Sequence, residues 1–462
     1  MRIFMFSMTP LFVDKSMGGA QKQLKKVALH LAEQGHQVTV ACTWRKDAAQ
    51  PFAWHERAQV LPLYRFKQPF PEPYETPPYH IANAIRDTAD HLRQADAFYN
   101  HDGGLIFPFI GQDVPTTVSL RSVLFSETLQ SGFLFDGDAL ILPSEYAADC
   151  WLETKGQVFP QFAERVHVIH NGLDFDVYCP TPPDPLAALI PDFDPVRYAY
   201  LLYPHRPETP KGIEHALRLT KALVEDYGLT HVRLLVPRWI DAGLADHVRA
   251  HYDGLAHSVA ARGLSEYVVF HDWIGDDLMP AYYSAGALTL VLGHYVETFG
   301  NTPYESLACG TLPLVARVGP YRRLLKERAL MIDYGDLERA AALAASVIVE
   351  RLRTPVNTLA WLRAHFHQAD MVRAYEEVML GTRKQAPLVY APMPIEAVRA
   401  WRLPTWCYFA EEQLWHDFLG TYLREPELYQ LTQAGRATFG SDQAPPLQLQ
   451  AWRREGLIVP AR

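Results

Sequence analysis

Two glutamates eight residues apart give the clearest chemical signal in this sequence of 462 residues. Glu297 and Glu305 lie on either side of Gly300, and a glycine allows the backbone to approach a ligand closely. A helix expected to begin just after this glycine would present free N–H groups to an anion. A carboxylate can also accept two hydrogen bonds from a pair of neighbouring hydroxyl groups. The pattern therefore suits Glu305 to a ribose and Glu297 to a sugar ring.

The segment Thr302-Pro-Tyr-Glu305 has a second, purely structural interpretation. It matches a capping box with proline at the first helical position, in which the glutamate side chain binds the N-terminus of the helix. Capping would account for Glu305. It would leave Glu297 and Gly300 unexplained, so a ligand-binding role is preferred for the segment as a whole.

Two cations precede an expected helix in Arg206-Pro-Glu-Thr-Pro-Lys211-Gly212, directly after a predicted strand. Such cations can neutralise a diphosphate leaving group, which departs with growing negative charge. Cations on loops are also commonly just solvated. A third signal is Gly18-Gly19, which lies between the first predicted strand and the first helix. It is compatible with a phosphate-binding turn and with an ordinary tight turn.

The elements that must position these residues alternate between strands and helices. Arg2–Ser7 is a predicted strand, Gly19–Gln34 has helical spacing of its apolar residues, and Gln37–Cys42 is the next strand. This order predicts a parallel sheet with right-handed crossovers. A second alternating segment runs from Ala199 to Ala316. Because open α/β sheets bind ligands at the carboxyl ends of their strands, we expect an α/β fold with two Rossmann-like domains facing a cleft.

Composition excludes several classes of protein. The formal net charge is −9 and the sequence has no long run of Lys or Arg, which argues against binding of duplex nucleic acid. The five cysteines lie far apart and are odd in number, as expected for reduced thiols of a cytoplasmic protein. No apolar stretch of about eighteen residues is present, so no transmembrane segment is expected. The sequence also lacks a convincing His/Asp cluster for a metal.

These motifs together resemble those of the retaining GT-B glycosyltransferases of the group 1 or family 4 type. The resemblance covers about residues 1–380, and its most specific part is the segment with two glutamates. The other matching segments, in chain order, are Gly18-Gly19, Ser144-Glu145, Val168–Asp174, Arg206 with Lys211-Gly212, and Ala308–Val315.

The resemblance implies a role for each residue of the site. Arg206 and Lys211 would hold the diphosphate of a nucleotide-diphosphate-sugar, and Glu305 would bind its ribose. Glu297 would hold the transferred sugar. The remaining donor-binding positions are the backbone around Phe299, Gly300, Asn301 and Thr302 for sugar and phosphate, Trp273-Ile274 for the base, and Gly19 beneath the phosphate or acceptor. Members of the family usually need no metal, so no cofactor is expected beyond the nucleotide-sugar co-substrate.

The resemblance also sets the expected domain boundaries. Residues 1–179 would form an N-terminal Rossmann-like domain on the acceptor side, completed by a helix over 360–382. The proline-rich residues 180–195 would form a linker, and 196–359 a C-terminal Rossmann-like domain that binds the donor. Residues 387–462 lie beyond the family pattern and are expected to form an accessory helical module.

One departure from the family pattern concerns the first domain. Many members have a histidine at the end of the strand that here continues into Arg121, beside the transferred sugar. His101, after another strand, is a second candidate to face that sugar. A fixed cation at Arg121 could bind an anionic group of the donor sugar or acceptor. The alternative is a salt bridge from Arg121 to Glu127 or Asp102.

The resemblance implies that the protein transfers a sugar to an acceptor hydroxyl with retention of configuration. The leaving phosphate would take the proton of that hydroxyl, and catalysis would rest on positioning of the reactants and on stabilisation of charge. A non-catalytic donor-binding scaffold subunit is one alternative, and a nucleotide-sugar epimerase is another.

Four tryptophans in the C-terminal segment predict a large buried aromatic surface. They are Trp401, Trp406, Trp415 and Trp452. They could pack on the catalytic body or dock a second copy of the chain, another subunit or a protein acceptor, and docking is the preferred prediction for 387–462.

Overall fold

The computed structural model describes residues 1–16, 18–66, 76–103, 108–111, 113–238, 245–433 and 438–461. These residues form two compact units. Unit 1 contains residues 1–171 and 369–462, and unit 2 contains residues 172–368. The first domain was expected to end at residue 179. In the structure it ends at Asn171, and residues 172–179 belong to unit 2. The carboxyl-terminal segment joins the first unit.

Unit 1 is built on a parallel sheet with an antiparallel strand at one edge. Its strands follow the order β3-β4-β2-β1-β5-β6-β7-β8, and β3 runs antiparallel to β4. The strands are β1 Arg2–Ser7, β2 Gln37–Thr43, β3 Phe52–His55, β4 Ala58–Tyr64, β5 Ala97–His101, β6 Thr116–Ser119, β7 Ala139–Leu142 and β8 Val166–Val168. The helices between them are α1 Gly19–Glu33, α2 Pro78–Leu92, α3 Ser126–Phe133 and α4 Glu145–Leu152.

Strand β1 is apolar because both of its faces are covered. Ile3 and Met5 pack in one cluster with the buried face of α1, while Phe4 and Phe6 pack in another cluster on the opposite face. Successive side chains of a strand point to opposite faces, so a strand buried on both sides must be apolar throughout. Polar side chains appear only where the strand ends, and Ser7 marks that end. The parallel βαβ order expected for this half is confirmed.

Unit 2 repeats the architecture with a parallel sheet of order β11-β10-β9-β12-β13-β14. Its strands are β9 Ala199–Leu202, β10 Val232–Arg238, β11 Val268–Asp272, β12 Gly286–Val291, β13 Pro313–Ala316 and β14 Leu330–Ile332. Its helices are α5 Ile213–Glu225, α6 Ala245–Ala261, α7 Met279–Ala285, α8 Thr302–Ala308, α9 Tyr321–Leu324, α10 Leu337–Glu350 and α11 Val356–His365.

The proline-rich residues 180–195 are packed against unit 2 and do not form a free linker. Leu186 and Ile190 are fully buried in a cluster with Tyr200 and Leu202 of β9. A short 3-10 turn over Asp184–Ala188 carries this contact. Proline content predicted the irregular backbone, but it could not reveal the apolar side chains that attach the segment to the sheet.

The helix expected over 360–382 is two helices, and this corrects the prediction. Helix α11 ends at His365, and α12 spans Gln368–Gly381. The break occurs because Leu173 forms a short bridge with the intervening backbone: its N–H donates to Phe366 O at 2.7 Å, and its carbonyl accepts from Gln368 N–H at 2.9 Å. Phe366 therefore packs in the core of unit 2, whereas Tyr375 packs in unit 1.

The C-terminal segment contains helices, as expected, together with strands that the sequence did not predict. Its helices are α13 Pro426–Gln433 and α14 Pro446–Arg454. Its strands are β15 Ala400–Arg402, β16 Cys407–Ala410, β17 Gln413–His416, β18 Thr421–Leu423, β19 Phe439–Gly440 and β20 Val459–Pro460. In the described residues these strands form two antiparallel sheets, of order β16-β17-β18 and β19-β15-β20. The expectation of a mostly helical module thus understated the strands, because each is too short to show a reliable alternation.

Buried polar contacts fasten this segment to α4 of unit 1. The Tyr146 hydroxyl donates to Asp417 at 2.7 Å, and Arg402 pairs with Glu153 at 2.7 Å. The four tryptophans are all buried within unit 1, at 6% exposure or less. Their described hydrogen bonds go to other residues of the same segment, from Trp401 to Ser441, from Trp406 to Gly456 and from Trp452 to Glu425. Burial within the segment therefore accounts for these tryptophans, and docking to a second copy, another subunit or a protein acceptor stays a prediction.

Candidate active site

The residues predicted to bind a donor lie on loops that leave the carboxyl edge of the unit 2 sheet. Strands β9 and β12 are parallel neighbours, so the loops after Leu202 and Val291 leave the sheet side by side. The first loop carries Arg206 and Lys211, and the second carries Glu297. Ligands bind at this edge in open α/β sheets.

Lys211 and Glu297 form an ion pair in this structure. The Nζ atom of Lys211 lies 2.6 Å from Oε1 of Glu297 and 3.5 Å from the centre of the Tyr295 ring. Their side chains are 17% and 29% exposed, so the pair is partly shielded from water but still accessible. Arg206 lies further out, where it is half-exposed and 3.4 Å from Glu208.

The two loops touch at glycines. Gly212 has a φ of +89°, and a Cβ atom there would lie 2.5 Å from the backbone nitrogen of Gly293. Tyr295 N–H donates to Pro210 O at 2.9 Å, which ties the same two loops together. This close backbone contact holds Lys211 against Glu297.

Glu305 lies in the first turn of α8, but it does not close a capping box. The residue that precedes the helix is Asn301, which makes no side-chain cap hydrogen bond. The Glu305 carboxylate instead accepts a hydrogen bond from the Tyr283 hydroxyl, 2.9 Å from Oε2. The capping interpretation is therefore not supported by the contacts of the carboxylate.

Gly300 makes the turn between Glu297 and α8. Its φ is +74°, and a Cβ atom there would lie 2.0 Å from the Tyr321 hydroxyl oxygen, so a larger residue would not fit without displacement. The Phe299 side chain stacks on the Tyr304 ring at 4.4 Å and belongs to the core. Only the backbone of Phe299 can therefore serve a ligand. Thr302 is the first residue of α8.

The residues proposed to meet the base follow β11 at the same edge. Trp273 is 50% exposed, whereas Ile274 is 4% exposed and packs in the core. On the loop that carries Arg206 and Lys211, burial and then the charge of Lys211 lower the pKa of His205 to about 3. That histidine is therefore neutral and adds no positive charge to the loop.

His101, at the end of β5 in unit 1, uses both ring nitrogens within the protein. Nε2 lies 2.8 Å from Ala20 O and Nδ1 lies 2.8 Å from the Tyr99 hydroxyl. Because a carbonyl oxygen only accepts, Nε2 carries the proton and Nδ1 accepts from Tyr99. Burial, then the charge of Arg121, lowers the pKa of His101 to about 3. These contacts support a structural role for His101 more than chemistry at a sugar.

Arg121 does not make the expected salt bridge through its guanidinium in the contacts described. Its guanidinium donates to the Tyr375 hydroxyl at 3.2 Å and to the side-chain oxygen of Asn171. Its backbone N–H, and not its charge, binds Asp102 Oδ1 at 2.8 Å. Burial raises the pKa of Asp102 to about 6, against the opposing effect of the Arg121 charge. Selection of an anionic substrate by Arg121 stays a prediction.

Gly19 begins α1, and Gly18 before it has an extended backbone with a φ of −174°. Extended backbone is open to any residue, so the local geometry does not by itself require glycine. No atom lies within 4 Å of a Cβ built on Gly18, which leaves open space at this helix start. The proposed contact of Gly19 with a phosphate or acceptor stays a prediction.

The sequence interpretation missed the tyrosines that surround the site. Tyr295 precedes Glu297 by two residues and could have been noticed as an aromatic partner for a cation. Nothing in the spacing of Tyr283 connects it with Glu305, because α7 and α8 come together only in the folded unit.

The described residues contain no group of three or more His, Cys, Asp or Glu side chains placed to hold a metal ion. Across the same residues, no helix combines the length and apolar character needed to cross a membrane.

Comparison with known proteins identifies the class of the fold. The structure of HepE from Anabaena in complex with UDP superposes with a TM-score of 0.62 at 16% identity, and covers 82% of this chain and 100% of that one. The fold is therefore that of the GT-B glycosyltransferases. The models for Glycosyltransferase Family 4 and for Glycosyl transferases group 1 match residues 17–177 and 194–355. The chain belongs to this group 1 or family 4 class.

Two relatives share more of the sequence, at 25% identity each. D-inositol 3-phosphate glycosyltransferase of Acidothermus cellulolyticus is 25% identical to this chain. The matched region covers 54% of this chain and 55% of that relative. GDP-mannose:cellobiosyl-diphosphopolyprenol alpha-mannosyltransferase of Xanthomonas oryzae pv. oryzae is 25% identical over 71% of this chain and 82% of its own length. The chain thus spans about half of the first of these relatives.

Proposed function

We propose that this protein is a retaining glycosyltransferase that moves a sugar from a nucleotide-diphosphate-sugar to a hydroxyl group of an acceptor. The observation that carries the proposal is the meeting of Lys211 and Glu297, 2.6 Å apart, on adjacent loops at the carboxyl edge of the unit 2 sheet. Glu305 follows on α8, which begins directly after the same loop. The resemblance to the family assigns these positions to donor binding, and their common place at one edge of the sheet supports the proposal.

Each side chain has a chemical task in this proposal. Lys211 and Arg206 stabilise the negative charge that grows on the diphosphate as it leaves. Glu297 accepts hydrogen bonds from hydroxyl groups of the sugar, and Glu305 accepts them from the ribose. The turn at Gly300 brings the backbone N–H groups of the loop close to the sugar and phosphate.

The reaction needs no dedicated base on the protein. The acceptor oxygen forms its bond to the anomeric carbon on the face from which the diphosphate departs. As the bond from that carbon to the phosphate oxygen breaks, this oxygen takes the proton of the acceptor hydroxyl. Rate enhancement then comes from positioning and from charge stabilisation. The engaged nitrogens of His101 support this view, and independence of metals stays a prediction from the resemblance.

Two related proteins suggest which donors to try first. HepE from Anabaena was solved with UDP, and the Xanthomonas relative is named for GDP-mannose. We therefore propose a sugar nucleotide with a uridine or guanosine base. The presence of Arg206, Lys211, Glu297 and Glu305 together favours catalysis over a scaffold that only binds the donor.

The test is turnover by the purified protein with a panel of UDP- and GDP-sugars, with and without candidate acceptors. We expect hydrolysis or transfer with one donor, and an anomeric configuration in the product that matches the donor. Glu305→Ala should lose turnover. Its free energy of unfolding should fall by only about 1 kcal/mol. Glu225→Ala, at an exposed position of the same unit, is the matched control. A product of inverted configuration, or full activity in Glu305→Ala, would contradict the proposal.

A further inference from the structure

Tyr283 is a fully buried tyrosine whose hydroxyl group contacts the proposed ribose-binding carboxylate. It lies on α7, is 1% exposed, and donates a hydrogen bond of 2.9 Å to Oε2 of Glu305. Glu305 itself is only partly buried, so part of its carboxylate remains accessible. One oxygen is therefore held by the protein core while the group still reaches the surface.

The direction of this hydrogen bond does not change over the working pH range. Burial, followed by the charge of Glu305, raises the pKa of Tyr283 well above its ordinary value. The phenol thus keeps its proton and remains a donor. The Tyr178 side chain also hydrogen-bonds this carboxylate, and burial and then the charge of Glu305 raise its pKa as well. Two tyrosines therefore surround Glu305.

Orientation of Glu305 matters because a carboxylate has freedom about three side-chain torsions. It can accept hydrogen bonds from two neighbouring ribose hydroxyls only when its plane is turned toward them. A hydrogen bond to a charged acceptor is among the stronger ones in proteins, and a buried donor holds its partner in one rotamer. The backbone of α8 alone would leave the carboxylate plane undetermined.

We propose that Tyr283 is a positioning residue that orients Glu305 to recognise the ribose of the donor. The inference rests on the proposed function, because it presupposes a nucleotide in unit 2. It adds a specificity-determining contact: discrimination between ribose and 2′-deoxyribose would depend on a tyrosine that does not touch the ligand.

Helix α7 offers a matched control in the adjacent residue. Tyr282 is also 1% exposed, but its ring packs against His271, with the ring centres 5.4 Å apart. Tyr282→Phe removes a hydroxyl group from the same helix at the same depth. It therefore measures the cost of losing a buried phenol oxygen where no effect on Glu305 is expected.

The experiment is calorimetric binding of UDP, GDP and ADP, and of their 2′-deoxy counterparts, to the full chain. The wild type should prefer one ribonucleotide to its deoxy form. Tyr283→Phe should weaken the binding of that ribonucleotide about five- to twentyfold and leave the binding of its deoxy form nearly unchanged. In a separate kinetic assay, the variant should keep its kcat at saturating donor. Tyr282→Phe should leave the preference unaltered. In a Glu305→Ala background, Tyr283→Phe should have no further effect.

Each other outcome overturns a specific claim. A wild type that binds none of these nucleotides overturns the proposed function, and the inference with it. A wild type that binds ribonucleotide and deoxynucleotide equally overturns the inference and the assignment of Glu305 to the ribose, but it leaves sugar transfer from a bound nucleotide donor standing. An unchanged preference in Tyr283→Phe, with a lower melting temperature, assigns the phenol a purely structural role.

Discussion

Lys211 has a partner that a bound diphosphate would have to replace or share. Its ammonium lies between the Glu297 carboxylate and the face of the Tyr295 ring, which stabilises a cation. The pair holds the lysine in place before any donor arrives. A diphosphate carries more charge than the single carboxylate, so it would compete effectively with Glu297 for the lysine.

We expect Lys211→Ala to lower kcat about a hundredfold or more, because the variant lacks a charge that stabilises the leaving group. Lys211→Arg should recover only part of the rate, since a planar guanidinium does not replace a compact ammonium between Glu297 and Tyr295. Steady-state kinetics with the preferred donor measures both. Lys221→Ala, on the exposed face of α5, is the control. Wild-type kcat in Lys211→Ala would show that the ion pair is unrelated to catalysis.

His101 should make the protein less stable in acid. Its pKa falls from 6.5 to about 3 on folding, so between these values the unfolded chain binds one more proton than the native one. The contribution of His101 is complete above pH 6.5 and is lost as the pH falls, by about 1.4 kcal/mol per pH unit. Asp102 acts in the opposite direction below its pKa of about 6, because the native state holds that proton more tightly.

We therefore expect His101→Gln to lower the melting temperature at pH 7.5, because Ala20 O and the Tyr99 hydroxyl lose their partner. The variant should also show a smaller loss of melting temperature between pH 7 and pH 5 than the wild type. Thermal unfolding followed by circular dichroism at several pH values measures both effects. An equal acid sensitivity in the two proteins would contradict the assignment of a neutral, buried imidazole.

Among the elements, the turn that leads into α5 is sterically demanding. Gly212 precedes that helix with a left-handed backbone and lies against the backbone of Leu292 and Gly293. Two requirements therefore act on this residue: a positive φ and the absence of a Cβ atom. Gly228, at the other end of the same region, has a φ of +67° and nothing within 4 Å of an added Cβ.

The pair of glycines allows these two requirements to be separated. Gly228→Ala should cost only the backbone strain, about 1–2 kcal/mol, and leave activity intact. Gly212→Ala should cost more stability and reduce turnover at least tenfold, because the clash pushes the Lys211 loop away from Glu297. Chemical denaturation and initial rates provide the comparison. Equal effects of both substitutions would mean that the contact between the two loops can accommodate a Cβ atom at Gly212.

At the scale of the whole molecule, the C-terminal segment behaves as part of unit 1. Asp417 is 1% exposed and accepts hydrogen bonds from Tyr146 at 2.7 Å and from the Trp415 indole at 2.8 Å. The chain that leads to the segment is tied down earlier, where Lys384 pairs with Asp138 at 3.0 Å. These contacts connect the residue after β17 with α4, and the chain before the segment with the residue that precedes β7.

Asp417→Ala should therefore destabilise unit 1 by about 2–4 kcal/mol, because two buried donors lose their acceptor. Urea unfolding monitored by tryptophan fluorescence suits the measurement, since Trp415 is a partner. Asp442→Ala, at an exposed position of the same segment, should be nearly neutral. If Asp417→Ala is also neutral, the two buried hydrogen bonds at Asp417 do not contribute to the stability of unit 1.

The sequence by itself predicted the alternation of strands and helices in two Rossmann-like halves, the loops that carry Lys211 and Glu297, and the helix that carries Glu305. These features depend on local periodicity and on residues close together in the chain, which is why a sequence reveals them. The tertiary structure alone decided that Leu173 divides the expected helix over 360–382, that residues 180–195 are packed, and that strands share the C-terminal segment with helices.

The same distinction applies to individual side chains. The roles of Tyr283 and His101 depend on partners that lie 22 and 81 residues away in the sequence. Similarly, the Arg121 guanidinium contacts Tyr375, 254 residues away. Such contacts depend on which surfaces meet when helices pack on a sheet, and no local pattern encodes that meeting. Sequence spacing predicted which carboxylates could bind a ligand, but only the packing of α7 against α8 showed what orients one of them.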